Sequence, residues 1–377
     1  MQQVVEFYPK SSLYRGASVQ PFVVSTTDEV NAMLDAGAVV AIGVSGGKDS
    51  QATAIRLNEY LDEVGHSGPR VLIHSDLGRV EWKDSLPVCE RLARRLGLDL
   101  IVVRRTAGDM MDRWDTRWKN NVARYANQEC VKLILPWSTP GMRFCTSELK
   151  TQIICAELTR RFPGQLILSV TGVRHDESSA RARMAIASAQ SKLSSRGCTG
   201  LNWNPIITWP TSDVFKYLDE QNEPLHEAYT VYNSTRVSCT YCIMGSIGDL
   251  NASASCEDNA DIYREMVELE IRSTFAFQGA RWLGDVAPHL LTQEQLDRLG
   301  KAKVAAAKRV EAESLIPPHL LYTKGRPTSV PTTNEAGLLA HVRRQVAEAV
   351  GIDVKFTTAP SILERYVELM SEAQGNS

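Results

Sequence analysis

Ser45-Gly46-Gly47-Lys48-Asp49-Ser50 joins two glycines, a lysine, an acid and two hydroxyls in six residues. Glycines between a strand and a helix let backbone N–H groups approach an oxyanion closely, and the helix N-terminus adds favourable partial charge. Lys48 adds a full positive charge. A Walker A loop is excluded twice: Ile42 stands where its first glycine belongs, and Asp49 follows the lysine. The competing account is a glycine-rich turn with solvated charges. A second group, Gly172-Val173-Arg174-His175-Asp176-Glu177-Ser178-Ser179-Ala180-Arg181, sets Arg174 and Arg181 beside two acids, a composition suited to phosphate or sulfate. Cys239-Thr240-Tyr241-Cys242 is a C-x-x-C, with Cys256 following after thirteen intervening residues. By itself that spacing fits zinc, a redox pair or a metal cluster.

Each group follows a segment able to hold it. Residues 38–44 form an apolar strand, and 51–64 have helical spacing. The alternation recurs with a strand at 70–74, a helix at about 83–96 and a strand at 99–103. Another strand at 165–171 leads into the arginine loop, and 204–207 offers a further one. Alternating strands and helices predict an α/β fold with a doubly wound, mainly parallel sheet. Ligands in such sheets gather at the carboxyl ends of the strands. Asp76 lies there, able to line a nucleotide pocket or to cap a strand end. From about residue 259 the pattern changes to amphipathic helices at 260–272 and 293–312, predicting a C-terminal helical extension. The expected divisions are an N-terminal segment, 1–35, a nucleotide domain with the cysteines, 36–258, and a helical domain, 259–377.

Composition narrows the class. The chain has 377 residues, enough for a core without disulfides. Its 42 basic and 44 acidic residues give a net charge of −2, so any nucleic-acid contact is local. No apolar run approaches the ~18 residues that cross a bilayer, and residues 1–10 do not read as a leader. The expected compartment is the cytoplasm, with no membrane partner. The eight cysteines are then thiols or ligands rather than disulfides.

The SGGxDS hexapeptide resembles the pyrophosphate loop of the N-type ATP pyrophosphatases, an adenine nucleotide alpha hydrolase-like fold. Those enzymes split ATP between its α- and β-phosphates. The resemblance implies that Ser45, Gly46, Gly47, Lys48 and Ser50 hold phosphate and that Asp49 helps to hold Mg²⁺. The Gly172–Arg181 loop resembles the GxRxxES..R motif of the phosphoadenosine phosphosulfate reductase family, which implies cofactor-binding roles for Gly172, Arg174, Glu177 and Arg181. Asn204-Pro205-Ile206, Trp209 and Asp213 to Tyr217 resemble the same family's next segment. Arg143-Phe144-Cys145 through Leu149-Lys150 resembles its R-x-C-x-x-x-L-K. That likeness adds Cys145 to Cys239, Cys242 and Cys256 as ligands of a [4Fe-4S] cluster, with structural zinc or free thiols as alternatives. No cysteine follows Cys256. The sequence therefore lacks the C-terminal nucleophile of a sulfonucleotide reductase and is similar instead to the DndC and SspD type of DNA phosphorothioation ATPase. The resemblance implies ATP adenylating a DNA phosphate, with Lys48, Asp49 and Arg174 catalytic. Sulfur would come from a partner cysteine desulfurase, with other DNA-modification subunits as further partners. The alternatives are a sulfonucleotide reductase or sulfate-activating enzyme, and a silent nucleotide-binding scaffold.

Overall fold

The computed structural model describes residues 22–374. Residues 1–21, which hold most of the expected N-terminal segment and the whole of the leader question, lie outside the described residues. The elements run α1 (Asp28–Asp35), β1 (Val39–Val44), α2 (Lys48–Glu63), β2 (Arg70–Asp76), α3 (Ser85–Leu96), β3 (Asp99–Arg104) and α4 (Met110–Ala126). Next come α5 (Phe144–Thr146), a π-helical turn (Ser147–Thr151), α6 (Gln152–Arg161), β4 (Leu166–Val170), β5 (Ala187–Ala189), β6 (Thr199–Trp203), α7 (Thr211–Glu220) and α8 (Glu227–Thr230). The chain finishes with α9 (Ile247–Ala254), α10 (Ala260–Ser273), α11 (Gln293–Ser314), α12 (Thr333–Val350) and α13 (Ala359–Gln374).

The six strands lie in the order β3-β2-β1-β4-β6-β5, all parallel except the edge strand β5, which runs antiparallel to β6. β1 is apolar along its length because both its faces are covered. Val40, Ile42 and Val44 pack with α2, α3 and α7, while Val39 and Ala41 pack with α6 on the opposite face. That is the doubly wound α/β arrangement. The strand expected at 204–207 is instead Thr199–Trp203. Pro205 has no N–H to give a ladder, and Ile207 N donates back to Asn204 O in a turn.

The C-terminal extension is helical, and its core includes more than the extension itself. Trp114, Trp118 and Tyr125 of α4 bury their side chains with Tyr263 and Met266 of α10, Leu339 of α12 and Ile362 of α13. Their spacing puts them on one face of α4. Glu270 is buried there and accepts N–H bonds from Phe277, Leu283 and Gly284, so it ties the chain after α10 back onto that helix. Among the described residues no helix is long and apolar enough to cross a membrane.

Candidate functional site

The hexapeptide forms the turn from β1 into α2, at the carboxyl edge of the sheet. Gly46 has φ +76°, and a Cβ there would lie about 3 Å from the Ser85 backbone and 3.2 Å from His226, so both conformation and space require glycine. Ser50 stitches the turn: its hydroxyl donates to Gly47 O at 2.8 Å and accepts from Ser45 N at 3.2 Å. Gly47 caps α2 with no side-chain acceptor of its own. The first helical amide, Lys48 N–H, donates instead to the Tyr229 hydroxyl at 3.3 Å. Lys48 itself is buried. Its ammonium lies 3.1 Å from Asp49 Oδ2 and over the rings of Phe215 and Tyr229, at 5.6 and 5.4 Å.

The loop after β4 closes on the same point. A Cβ on Gly172 would meet Asp49 O at 2.7 Å and Thr53 Oγ1 at 2.8 Å, so only glycine allows this strand end to approach α2. Arg174, 2% exposed, donates from Nε to Asp49 Oδ1 at 2.7 Å. Its Nη1 donates to Asp176, to Trp209 O and to Thr211 Oγ1. Glu177 receives Arg174 N–H at 2.7 Å and pairs with Arg181. Lys48, Asp49 and Arg174 are therefore gathered at one place. Glu177 and Arg181 brace the loop around them. Asp76 stands at the end of β2 with Oδ1 on Gly78 N–H and Oδ2 on Arg104, the bonding of a strand-end cap.

Two histidines behind the turn were not singled out from the sequence. His74 Nδ1 faces Val44 O at 3.0 Å, and Nε2 lies 3.3 Å from the Glu81 carboxylate. Burial pushes its pKa down, but Cys89 and Glu81 outweigh that and raise it to about 10. Acceptors at both ring nitrogens suit an imidazolium. His226 is the opposite case. Its Nδ1 accepts Ala228 N–H at 3.0 Å, its Nε2 lies 3.3 Å from Ser85 Oγ, and burial pushes it down to about 4. A buried polar residue inside an apolar strand or just before a helix was the available signal.

The cysteines divide. Cys239 forms an isolated bridge with Glu81, and its thiol is pushed up to about 12, first by burial and then by the neighbouring Cys242, with Cys145 adding to the same effect. Asp249 holds their loop by accepting from Thr235 N–H, Thr235 Oγ1, Ser246 N–H and Ser246 Oγ. Cys256 is buried with Trp82 and Ala228, with Tyr232 packed against them. Among the described residues no three of His, Cys, Asp and Glu are close enough together to hold a metal ion. The four-thiolate set expected for a [4Fe-4S] cluster is therefore not assembled. Cys242 and Cys145 are near enough to Cys239 to raise its pKa, and Cys256 packs in a separate apolar group. Asp49 is the carboxylate of the turn that would meet a Mg²⁺, and it already has Lys48 and Arg174 as partners.

A basic surface surrounds Cys145. Arg113 and Arg117 stack on Phe144 at 4.7 and 5.0 Å. Arg113 is paired with Glu148, whereas Arg105, Arg117, Arg143, Lys150 and Lys192 have no carboxylate partner among the described residues. Arg104 and Lys119 are paired, with Asp76 and Asp115.

No curated protein matches the sequence. Similar solved structures include the following three. FMN adenylyltransferase from Candida glabrata, in complex with FAD and inorganic pyrophosphate, is 16% identical over 54% of this chain and 55% of its own, with TM-score 0.35. The present chain thus spans about half the length of that protein. Phosphoadenylyl-sulfate (PAPS) reductase from Candida auris, as a phosphate complex, is 12% identical over 58% of this chain and 98% of its own, with TM-score 0.35. The U34-tRNA thiolase NcsA from Methanococcus maripaludis, with its [4Fe-4S] cluster, is 16% identical over 65% and 74%, with TM-score 0.37. The family profile of the phosphoadenosine phosphosulfate reductase domain matches residues 39–254, which run from the start of β1 through the arginine loop and the C-x-x-C to the end of α9. With its mostly parallel six-stranded sheet, the chain belongs to the phosphoadenosine phosphosulfate reductase domain family.

Proposed function

We propose that the chain is an ATP pyrophosphatase that activates a DNA backbone phosphate by adenylation for sulfur incorporation. The convergence of Lys48 and Arg174 on Asp49 beside the Gly46-Gly47 turn carries this reading. Two fixed cations at a glycine turn that opens a helix suit a crowded polyphosphate better than a neutral substrate. A DNA phosphate oxygen would attack the α-phosphorus of ATP. The bond to the β-phosphate breaks, and pyrophosphate departs with the electron pair. Lys48 and Arg174 would offset the charge that accumulates on those oxygens, and Asp49 keeps both cations aimed at the turn. Mg²⁺ would supply charge neutralisation of the phosphates, with Asp49 as its protein ligand. Sulfur then displaces AMP. It comes from a partner cysteine desulfurase, and a thiol reductant supplies the electron pair that takes persulfide sulfur to sulfide. The cysteine arrangement does not support a four-thiolate cluster, so no step is drawn through one.

DNA as the acceptor is supported by the cations without carboxylate partners around Cys145, which suit a phosphate backbone. The test is pyrophosphate release by the full chain with and without duplex DNA, together with a cysteine desulfurase and mass analysis of the digested DNA. Stimulated release and nucleotides heavier by the oxygen-to-sulfur exchange support the proposal. Sulfonucleotide reduction without any DNA effect would replace it.

A further inference from the structure

The Tyr229 hydroxyl oxygen accepts two backbone amides that belong to different parts of the site. Lys48 N–H, the first amide of α2, donates to it at 3.3 Å, and Val237 N–H donates at 3.1 Å. Val237 stands two residues before Cys239 and five before Cys242. The side chain of Val237 also touches the turn, since a Cβ on Gly47 would lie 3.4 Å from Val237 Cβ and 3.5 Å from the tyrosine oxygen. Below the oxygen, the ring supports the Lys48 ammonium at 5.4 Å and meets Phe215 edge-on, with centroids 6.0 Å apart. Burial first, and then the charge of Asp49, push the Tyr229 pKa up, so the hydroxyl stays neutral.

The first amides of a helix are the ones that a bound phosphate takes. Here one of them is held by a side chain from α8, and the same oxygen holds the chain that leads to the C-x-x-C. Two donors sharing one oxygen compete, so drawing one away strengthens the other. We infer that Tyr229 is a positioning residue that couples occupancy of the phosphate turn to the conformation of the cysteine-bearing segment. A phosphate that takes Lys48 N–H leaves the tyrosine oxygen to Val237 alone, and the segment 237–242 becomes more firmly held. The inference rests on reading Ser45–Ser50 as the ATP phosphate site.

Hydrogen–deuterium exchange on the full-length chain tests it, with the Mg²⁺ complex of α,β-methylene-ATP, which cannot be split at the proposed bond, as the probe. In the wild-type chain, saturating analogue slows exchange of the peptide containing Val237 by about fivefold or more, on the scale of a local opening made harder. Tyr229→Phe keeps the ring beneath Lys48 and removes the shared oxygen. It still binds the analogue, and the exchange of that peptide no longer responds. Analogue binding measured in parallel by calorimetry separates the two failures. Binding to the wild-type chain without a change at Val237 overturns the coupling and leaves the ATP reading intact. No binding to the wild-type chain overturns the ATP reading and the coupling with it. The same analogue-dependent slowing in Tyr229→Phe also overturns the coupling. The wild-type measurement decides the matter even where the variant does not fold.

Discussion

Arg174 Nε donates to Asp49 Oδ1 at 2.7 Å, joining the loop after β4 to the turn after β1, 125 positions apart in the chain. The guanidinium also holds Asp176, Trp209 O and Thr211. Lysine cannot span these partners at once. Arg174→Lys therefore lowers pyrophosphate release by roughly a hundredfold and destabilises the fold by about 1–3 kcal/mol, since buried acceptors lose their donors. Steady-state kinetics and denaturant titration read the two effects separately.

Lys48 is held by ring faces as well as by charge, which separates its chemical role from its structural one. Lys48→Met keeps an unbranched side chain between Phe215 and Tyr229 and removes the cation. Turnover falls by about a hundredfold or more, while Tm shifts by no more than a few degrees. A large loss of Tm with turnover retained would mean that the lysine is there to fold the turn rather than to act in it.

The two histidines behind the turn give stability a maximum with pH. His74 is raised to about 10 in the fold, against about 6.5 in the unfolded chain. Its contribution is whole below about 6.5 and is lost as pH rises toward about 10. His226 is lowered to about 4, so its contribution is present above about 6.5 and is lost as pH falls toward about 4. Thermal unfolding across this range should show both limbs. His74→Gln flattens the alkaline one and His226→Asn the acid one. A variant that flattens the other limb, or neither, contradicts the assignment.

Arg117 and Arg143, without carboxylate partners on the surface around Cys145, should meet DNA phosphates. Arg117→Gln with Arg143→Gln should weaken duplex binding for all sequences alike and reduce the slope of log affinity against log salt by about 2. Titrations at several salt concentrations read the slope. An unchanged slope would put DNA elsewhere.

Much of the sheet was legible in the sequence, because a strand buried on both faces must be apolar along its length, as 39–44 is. The phosphate turn was legible for a related reason: Gly46 and Gly172 are places where backbone geometry admits no side chain. The register of the last parallel strand was misread, since Asn204-Pro205-Ile206 looks extended while the ladder ends at Trp203. The companionship of the cysteines could not be read from spacing. Which thiols meet depends on Glu81 bridging Cys239 and on Trp82 drawing Cys256 into another cluster, both long-range contacts. Nor could Tyr229 be found in the sequence, because its part depends on amides 181 and 8 residues away converging on one oxygen.

The bond that breaks in ATP tests the central claim most directly. With the purified full chain, Mg²⁺, ATP and duplex DNA, phosphorus NMR of the products should show AMP and pyrophosphate rising together, and both should form slower by about a hundredfold or more with Lys48→Met. ADP and orthophosphate as the products would contradict the account.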